Sequence, residues 1–542
     1  MDFSIKGNYV DIFKEEIYPV EIIIKNSVVS EIVKLDYEVD FFILPGFVDS
    51  HVHIESSMLI PSEFAKIAIK HGVVGVVADP HEIANVAGTE GIEFMVNNGN
   101  SVAFNFFFGA PSCVPATEFE SSGARIDSDA IDKLLKKDDI FFLSEVMNYP
   151  GVINREDEIM KKIEISHRNN KPVDGHSPGL RGADLKRYVN SGITTDHECL
   201  NLDEALEKIS AGMKIQVREG SAAKSFDVFY ELIDKFPHSI MLCTDDIHPD
   251  DLENGYINRL VSLGIKKGLN LFNLLRAACV NPILHYNLPL GMLRKGDNAD
   301  MIVVKDLQEF SVHQTYVKGN LVYDNGEIRL KSQKQTFTSL FRDQNIFPDE
   351  LVVNVDEGNI RSIKVFDKEL FTSSEIVVPK VKDGKVICDI DNDLVKIVVV
   401  NRYENIKPVV GFVKGFGINR GSIAGSIAHD SHNIIGIGVD DNDIALAINA
   451  VIEMRGGLVV SSSDEMLKMP LEIGGLMTSR NGSQVAKEYS ELNQLAKTLG
   501  CSLTAPFMSL SFLSLLVIPE LKIGDKGLFD VNSFSFTSLF IK

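Results

Sequence analysis

Eight strand-like apolar runs, separated by stretches with a helical pattern, constrain the fold of this chain more than any other feature. The runs are residues 46–53, 72–79, 101–109, 139–145, 171–176, 192–197, 213–218 and 239–245. Near-continuous apolar strands that alternate with helices are typical of a parallel sheet buried on both faces. Eight such units within about 250 residues match the size of a closed (β/α)₈ barrel. We therefore predict an α/β fold built on this barrel.

Polar residues gather where these runs end. The endings include His51-Val-His53-Ile-Glu55, Asp79-Pro-His81-Glu82, Ser144-Glu145, Asp174-Gly-His176, Thr195-Asp-His197-Glu198, Arg218-Glu219 and Thr244-Asp245-Asp246. In a barrel of this kind the carboxyl ends of the strands form the mouth that holds the active site. The sequence therefore predicts that many titratable groups meet at one place.

Short strand-like segments lie on both sides of the barrel, at 20–24 and 41–44 before it and at 299–304 and 316–323 after it. A chain of 542 residues is too long for one core. We predict a small β domain from 1–44 plus 290–335, the barrel at 45–289, a polar linker over 327–350, and a C-terminal α/β domain at 345–542. In the last domain we predict strands at 397–400, 409–413 and 434–439, and a helix over 444–454 that begins after Asp440–Asp443 and ends at Gly456.

Bulk composition excludes several classes of function. The net charge of −22 argues against a nucleic-acid backbone or an anionic membrane as the main partner. The six cysteines form no Cys-x-x-Cys pair, which is typical of reduced thiols in a cytoplasmic protein. The N-terminus has no basic and apolar signal pattern. The longest apolar runs are far shorter than the roughly 20 residues that span a bilayer.

Four histidines at the strand ends are candidate metal ligands. Residues two apart in a strand point to the same side, so His51 and His53 can reach one cation. His176 and His197 end the fifth and sixth runs. Each alone fits a satisfied, partly buried histidine, but four imidazoles at one barrel end favour a metal such as zinc, iron, manganese or nickel.

Two carboxylates complete the predicted metal site. Glu145 follows a very apolar strand and either bridges two cations or pairs with a nearby Arg or Lys. Asp245 can bind a metal and can also accept the proton of an activated water. Asp246 points the other way and is a candidate to pair with another side chain. The mixed ligands favour two divalent ions, with manganese, ferrous iron and zinc all acceptable.

Further residues are candidates for substrate binding or for orienting the ligands. Asp79, His81 and Glu82 either serve this purpose, form an extra metal site, or simply begin a helix. Arg218 either pairs with Glu145 or Asp245 or faces the substrate. We expect Glu55 to line the pocket. Three interpretations are open for the segment with His429, Asp430 and His432. It is a separate site, a lid over the barrel, or only a polar turn.

Six motifs together resemble a known family. They are Pro45–His53 with Glu55-Ser-Ser-Met58, Asp79–Ile83, Ser144–Asn148, Asp174–Gly179, Cys243–Asp246 and Ala428–Asn433. The first is similar to the amidohydrolase superfamily, and all six resemble the bacterial adenine deaminase family over nearly the whole chain. Many superfamily members have a carboxylated lysine after the fourth strand, whereas this chain has Glu145, in agreement with the adenine deaminase branch.

The resemblance implies hydrolytic deamination of adenine to hypoxanthine and ammonia in purine salvage. It also implies a binuclear site, usually with manganese or ferrous iron. The mechanism that it supports has a metal-bridging hydroxide attack C6 of the purine while Asp245 accepts the proton. Glu55 and Glu82 are both candidates for the acid that protonates N1. We also predict a homodimer. The alternatives are another amidohydrolase, acting on an amino-sugar amide or a cyclic amide, and a non-catalytic metal-binding protein.

Overall fold

The structure is a computed structural model that describes residues 2–221, 223–332, 335–338, 341–463 and 465–541. Residues 333, 334, 339 and 340, which belong to the predicted linker, lie outside the described residues.

The N-terminal residues form an antiparallel meander followed by one strand that leads into the barrel. Its strands are β1 (Phe3–Asp11), β2 (Glu16–Lys25), β3 (Val28–Lys34) and β4 (Phe42–Pro45). Alternate residues of β2, namely Val20, Ile22 and Ile24, are fully buried. Because side chains of a strand alternate between its two faces, this pattern gives the sheet one apolar face.

All eight predicted barrel strands are present, and the prediction of a (β/α)₈ barrel is confirmed. They are β5 (Phe47–Val52), β6 (Val73–Ala78), β7 (Asn105–Ala110), β8 (Ile140–Val146), β9 (Val173–Gly175), β10 (Thr195–Asp196), β11 (Lys214–Arg218) and β12 (Ile240–Cys243). Neighbours pair in parallel in chain order from β5 to β9 and from β10 to β12. Parallel bridges from Val52 to Asp245 and from Val173 to Ile193 close the ring. The third strand begins at Asn105 rather than at the predicted residue 101.

Helices surround the barrel. They are α1 (Pro61–Ala68), α2 (His81–Gly99), α3 (Ser128–Leu135), α4 (Tyr149–Asn154), α5 (Asp157–Arg168), α6 (Gly182–Asn190), α7 (Leu202–Ser210), α8 (Phe226–Phe229), α9 (Glu231–Lys235), α10 (Pro249–Asn254), α11 (Ile257–Lys266), α12 (Leu271–Leu275) and α13 (Asn281–Tyr286). Helix α3 shows why they pack there. Its Ile131, Leu134 and Leu135 are buried, and they recur at the spacing of one helical face.

The chain returns to the first sheet after the barrel. Strands β13 (Met301–Val304), β14 (Val312–Val317), β15 (Asn320–Asp324) and β16 (Glu327–Ile328) join it in the order β16-β15-β14-β13-β4-β1-β2-β3. Strand β13 pairs antiparallel with β4, with Met301 opposite Pro45. A β domain built from both flanks of the barrel is therefore confirmed. The predicted domain boundaries stay a prediction, which this strand order supports.

The C-terminal part is built around a nine-stranded sheet. Its elements are β17 (Val353–Asn354), β18 (Asn359–Val365), β19 (Thr372–Val377), β20 (Lys380–Lys382), β21 (Lys385–Ile387), β22 (Leu394–Val400), β23 (Val409–Lys414), β24 (Ser422–Gly425), β25 (Ile434–Gly438), α14 (Asp441–Glu453), β26 (Gly457–Ser461), β27 (Met466–Pro470), α15 (Gly482–Thr498), α16 (Pro506–Ser511), β28 (Leu521–Gly524), β29 (Gly527–Asp530), β30 (Ser535–Thr537) and β31 (Phe540–Ile541). The predicted helix is α14, and the Asp440 side chain caps it by accepting from the Asn442 N–H.

Within the described residues, no helix combines the length and the apolar character that a membrane span requires.

Candidate active site

The four predicted imidazoles meet at the carboxyl ends of the barrel strands. The Nε2 atoms of His51 and His53 lie 3.2 Å apart. The ring of His197 stacks on that of His51 at 4.1 Å between centroids, and His176 lies beside His197 at 5.3 Å. All four side chains are buried. The strand ends thus bring these residues together as the sequence predicts.

The orientation of His53 is set by its neighbour strand. Its Nδ1 lies 3.1 Å from the main-chain oxygen of Asp79, which follows β6 and accepts the ring N–H. This contact directs Nε2 at the other imidazoles and at Asp245. Histidines that bind metals usually donate their second ring nitrogen in this way.

Glu145 lies at the centre of the imidazoles. Its Oε2 is 2.7 Å from Nδ1 of His176 and 3.1 Å from Nε2 of His197. Its Oε1 is 3.5 Å from Nε2 of His53 and 3.5 Å from Nδ1 of His81. Burial opposes ionisation of this carboxyl, but the charge and the hydrogen bond of His176 outweigh it, so the pKa of Glu145 lies well below its usual range. Glu145 is therefore an anion whose two oxygens contact different imidazoles. Oε2 contacts His176 and His197, and Oε1 faces His53 and His81.

Asp245 approaches the cluster from the other side, directly after β12. Its Oδ1 is 2.9 Å from Nε2 of His53 and 3.6 Å from Nε2 of His51. Its backbone has a φ of 60°, a left-handed conformation that Asp adopts more readily than most residues. Burial opposes its charge, but Arg218 contacts Oδ2 and holds the pKa of Asp245 well below its usual range.

Arg218 contacts two acids at once. Its Nη1 reaches the carboxylates of both Glu198 and Asp245. Of the partners predicted for Arg218, Asp245 is therefore present, while Glu198 was named only among the strand-end residues and was given no role. A signal for Glu198 existed, because it directly follows His197 at a strand end.

The cluster has the donor set that a divalent metal ion needs. Groups of buried His and carboxylate atoms lie close enough together to bind one ion each. They include His51 with His53 and Asp245, and His51 with Glu145 and His197. The Nε2 atoms of His51 and His197 face the carboxylates of the cluster, at 3.6 Å from Asp245 Oδ1 and at 3.1 Å from Glu145 Oε2, while their Nδ1 atoms are buried without a hydrogen-bond partner. Buried imidazoles and carboxylates at this spacing fit a metal site.

A second polar cluster joins the barrel to the C-terminal domain. Glu82, in the first turn of α2, contacts His432 and lies 2.6 Å from Nδ1 of His429. Asp430 is buried beside them, 4.0 Å from Nε2 of His81. The segment that follows β24 therefore reaches the barrel mouth and forms part of its wall, which the sequence alone left open.

In this second cluster Glu82 and His429 carry opposite charges. Burial opposes ionisation of Glu82, but His429 and His432 outweigh it and hold the pKa of Glu82 well below its usual range. Burial lowers the pKa of His429, but Glu82 raises it more, to about 9. Glu82 and His429 thus form a buried carboxylate–imidazolium pair at neutral pH.

Glu55 and Asp246 occupy different positions. Glu55 is buried behind Glu82, where its Oε1 accepts from the Ile83 N–H at 3.1 Å, and it is not among the residues that line the cavity. The expectation that Glu55 lines the pocket is therefore wrong. The 3₁₀ turn after His53 directs Glu55 toward the first turn of α2 rather than into the mouth. Asp246 does line the cavity and accepts from Ser56 Oγ at 2.5 Å.

The cavity above the cluster is lined by polar residues of both domains and by a group of apolar residues. Its apolar side is formed by four residues of the C-terminal domain, which we call the C-terminal roof: Leu370, Phe512, Leu515 and Ile518. The ring of His429 stacks on that of Phe512 at 4.4 Å. Sequence reasoning missed the roof, because nothing distinguishes these apolar residues from those of an ordinary core.

Comparison with known proteins assigns the chain to a family. The family model described as "Amidohydrolase family" matches residues 42–322, just over half of the chain, and the chain belongs to this family. A second model, described as "Adenine deaminase C-terminal domain", matches residues 369–535. Within the amidohydrolases the chain is a member of the adenine deaminase family.

Relatives support this membership along the whole chain. An adenine deaminase of Methanosarcina barkeri is 47% identical over 99% of this chain and 99% of its own. An adenine deaminase of Salinibacter ruber is 46% identical with the same coverage of both chains. One of Borreliella burgdorferi is 45% identical over 98% of this chain and 99% of its own.

Proposed function

We propose that this protein catalyses the hydrolytic deamination of adenine to hypoxanthine and ammonia. The observation that supports this most is the mixed cavity, with imidazoles and carboxylates of the barrel below and the C-terminal roof above, in a chain related to adenine deaminases over its full length. A flat purine has a polar edge that suits the floor and an apolar face that suits the roof.

We assign two divalent metal ions to the floor of this cavity. The six residues that would hold them are His51, His53, Glu145, His176, His197 and Asp245. We name manganese first, with ferrous iron and zinc as the other ions that this mixture of nitrogen and oxygen ligands accepts. When bound, such ions lower the pKa of water, so that a nucleophile is available near neutral pH.

We assign to Asp245 the role of accepting the proton that the attacking water loses. It is ionised, because Arg218 holds its pKa low, and an acceptor must be ionised. In the overall reaction a C6–O bond forms and the C6–N bond breaks, and the departing amine takes up a proton to leave as ammonia. Asp245 can return its proton in that step.

We assign to the Glu82–His429 pair the protonation of N1 of the ring. His429 lines the cavity and carries a proton at neutral pH, while Glu82 lies against it at 2.6 Å. Glu55 does not line the cavity, which favours the pair over Glu55 for this role. Protonation of N1 stabilises the negative charge that attack at C6 would otherwise place on the ring.

The test is an activity assay on protein freed of metal and reloaded separately with manganese, ferrous iron and zinc. We expect release of ammonia from adenine and formation of hypoxanthine with at least one metal. Hydrolysis of a cyclic amide and of an N-acetyl amino sugar is measured in parallel. No turnover of adenine with any metal, or faster amide hydrolysis, would overturn the proposal.

We further propose that the protein is cytoplasmic, acts in purine salvage and forms a homodimer. All six cysteines are free, which supports a reducing compartment. Ile376, in the edge strand β19, is 59% exposed, and Val378, directly after that strand, is 79% exposed, which supports an association surface there. Sedimentation of the purified protein tests the dimer.

A further inference from the structure

Lys522 is a buried lysine that the proposed reaction does not use. It lies in the middle of β28, and its exposure is 0%. Among the residues that the structure describes, no carboxylate forms an ion pair with its Nζ. Burial without such a partner lowers the pKa of Lys522 to about 7. An ammonium group in this position is costly, so the contacts that it makes are informative.

Both contacts of Lys522 are to the main chain of the C-terminal roof. Its Nζ donates to the carbonyl oxygen of Leu370 at 2.9 Å and to that of Phe512 at 3.0 Å. These two residues come from segments far apart in the chain, and the side chains of both line the cavity. The Nζ of one side chain therefore connects the two segments from which the roof is built.

Neighbours of Lys522 hold the same two segments to β28. Thr372 Oγ1 donates to the carbonyl oxygen of Leu521 at 2.8 Å, and Ser514 Oγ donates to that of Ile523 at 3.0 Å. Each of these bonds fixes one segment only. Lys522 lies between them and is bonded to both segments, so it sets the distance of Leu370 from Phe512.

We propose that Lys522 is a positioning residue for substrate binding, which holds Leu370 and Phe512 at the separation that the flat face of a purine needs. The proposal rests on the proposed function. It assigns to Lys522 an effect on the affinity for the substrate and not on the chemical step, because the residue touches neither the cavity floor nor the Glu82–His429 pair. The C-terminal domain would thereby set substrate affinity for a reaction that takes place in the barrel.

The test compares Lys522→Met with Lys396→Met in protein loaded with manganese. Lys396 is a matched control, because it is a buried lysine of the same domain whose Nζ donates to the Leu351 carbonyl oxygen at 2.9 Å and contacts Asp441, away from the cavity. For each variant we would measure kcat and KM for adenine, the Kd of hypoxanthine by equilibrium dialysis, and the thermal unfolding midpoint.

We expect Lys522→Met to raise KM and the Kd of hypoxanthine about tenfold, which is about 1.4 kcal/mol of binding free energy, with kcat changed less than about threefold. Lys396→Met should lower the unfolding midpoint and leave KM and Kd near those of the wild type. Lys522→Gln, which keeps a donor on a shorter side chain, serves as a second variant under the same criteria.

Unchanged KM and Kd in both folded Lys522 variants would overturn the proposal, as would an equal rise in Lys396→Met. Failure of both Lys522 variants to fold would make the residue a determinant of folding and would also overturn it. A wild-type protein that does not deaminate adenine is a different result, because it removes the proposed function before Lys522 is tested.

Discussion

Asp245 combines a structural and a chemical task at one backbone position. Its N–H donates to the His51 carbonyl oxygen at 2.9 Å, and its own carbonyl oxygen accepts from the His53 N–H at 3.1 Å. The first and last strands of the barrel are therefore joined by the main chain of three of the predicted metal ligands. Its side chain meanwhile points at their imidazoles.

We expect Asp245→Asn to reduce turnover of adenine by about 10³-fold or more, because an amide cannot accept the proton. The fold should be retained, since Asn adopts a positive φ readily and Glu198 remains as a partner of Arg218. Steady-state kinetics and circular dichroism measure the two effects. Asp250→Asn, a nearby change outside the cavity, is the control, and activity of Asp245→Asn close to that of the control would contradict the role.

The variants Glu82→Gln and Glu55→Gln distinguish the two candidates for the acid that protonates N1. We expect Glu82→Gln to lower kcat/KM by about 10²-fold, because a neutral amide cannot hold His429 as an imidazolium. Glu55→Gln should cost less than about tenfold, since Glu55 does not line the cavity. The pH dependence of kcat/KM is measured for both. The opposite ranking would assign the proton to Glu55.

Helix α7 holds the carboxyl ends of strands β9 and β10, where His176 and His197 lie. Lys208 of α7 donates to the Ser177 carbonyl oxygen at 2.7 Å and pairs with Asp196 at 3.1 Å and Glu204 at 2.7 Å, all fully buried. Burial opposes the charge of Asp196, but Lys208 outweighs it and lowers the pKa of Asp196 to about 2. Since these residues adjoin His176 and His197, the helix fixes where two imidazoles lie.

We expect Lys208→Met to reduce the free energy of unfolding by roughly 3–5 kcal/mol at neutral pH, because it removes the only ammonium group paired with two buried carboxylates in the described part of the chain. Lys235→Met, which removes an exposed pair with Glu231, should change it by less than about 0.5 kcal/mol. Denaturant titrations give both values. Similar losses in the two variants would show that the buried pair does not stabilise the fold.

The loss of unfolding free energy in Lys208→Met should depend on pH, because the pKa of Asp196 is lowered. A depressed carboxyl pKa contributes stability that is present above about pH 4 and is lost as the pH falls through about 2. The gap between the wild type and Lys208→Met should therefore be widest at neutral pH and should shrink on acidification. A gap independent of pH down to 2 would contradict this assignment.

The elements of the barrel were predictable from sequence, whereas part of the site was not. Apolar runs with polar endings mark the strands, because a parallel strand is buried on both faces and only its carboxyl end is free to carry ligands. The same rule located His51, Glu145 and Asp245. It could not locate Leu370 or Phe512, since an apolar residue that lines a cavity has the same composition as one in a core. It also misplaced Glu55, because a turn after a strand end can direct a side chain away from the mouth.

In the whole molecule, residues of two domains form the wall of the cavity. The barrel supplies the floor, and the segment 428–433 and the C-terminal roof supply the rest of the wall. The sequence showed the polar residues of that segment but not their position, because contact between Glu82 and His432 depends on how two separately encoded folds pack.

Metal removal should destabilise the whole molecule if the six ligands bind as proposed. At a metal concentration a thousandfold above Kd, binding adds about 4 kcal/mol to the free energy of unfolding. We therefore expect chelation to lower the thermal unfolding midpoint and manganese to restore it. His197→Ala, which lacks one ligand, should respond less. Equal midpoints with and without manganese in the wild type would show that the cluster does not bind it.

The two-domain cavity also has a consequence for biosynthesis. A ribosome completes the metal ligands once residue 245 has emerged, while the roof requires residues up to 518. The growing chain therefore carries all six proposed ligands well before the residues that cover them. If the six residues bind metal as proposed and the barrel folds before residue 518 is made, cations would reach them without crossing the finished wall.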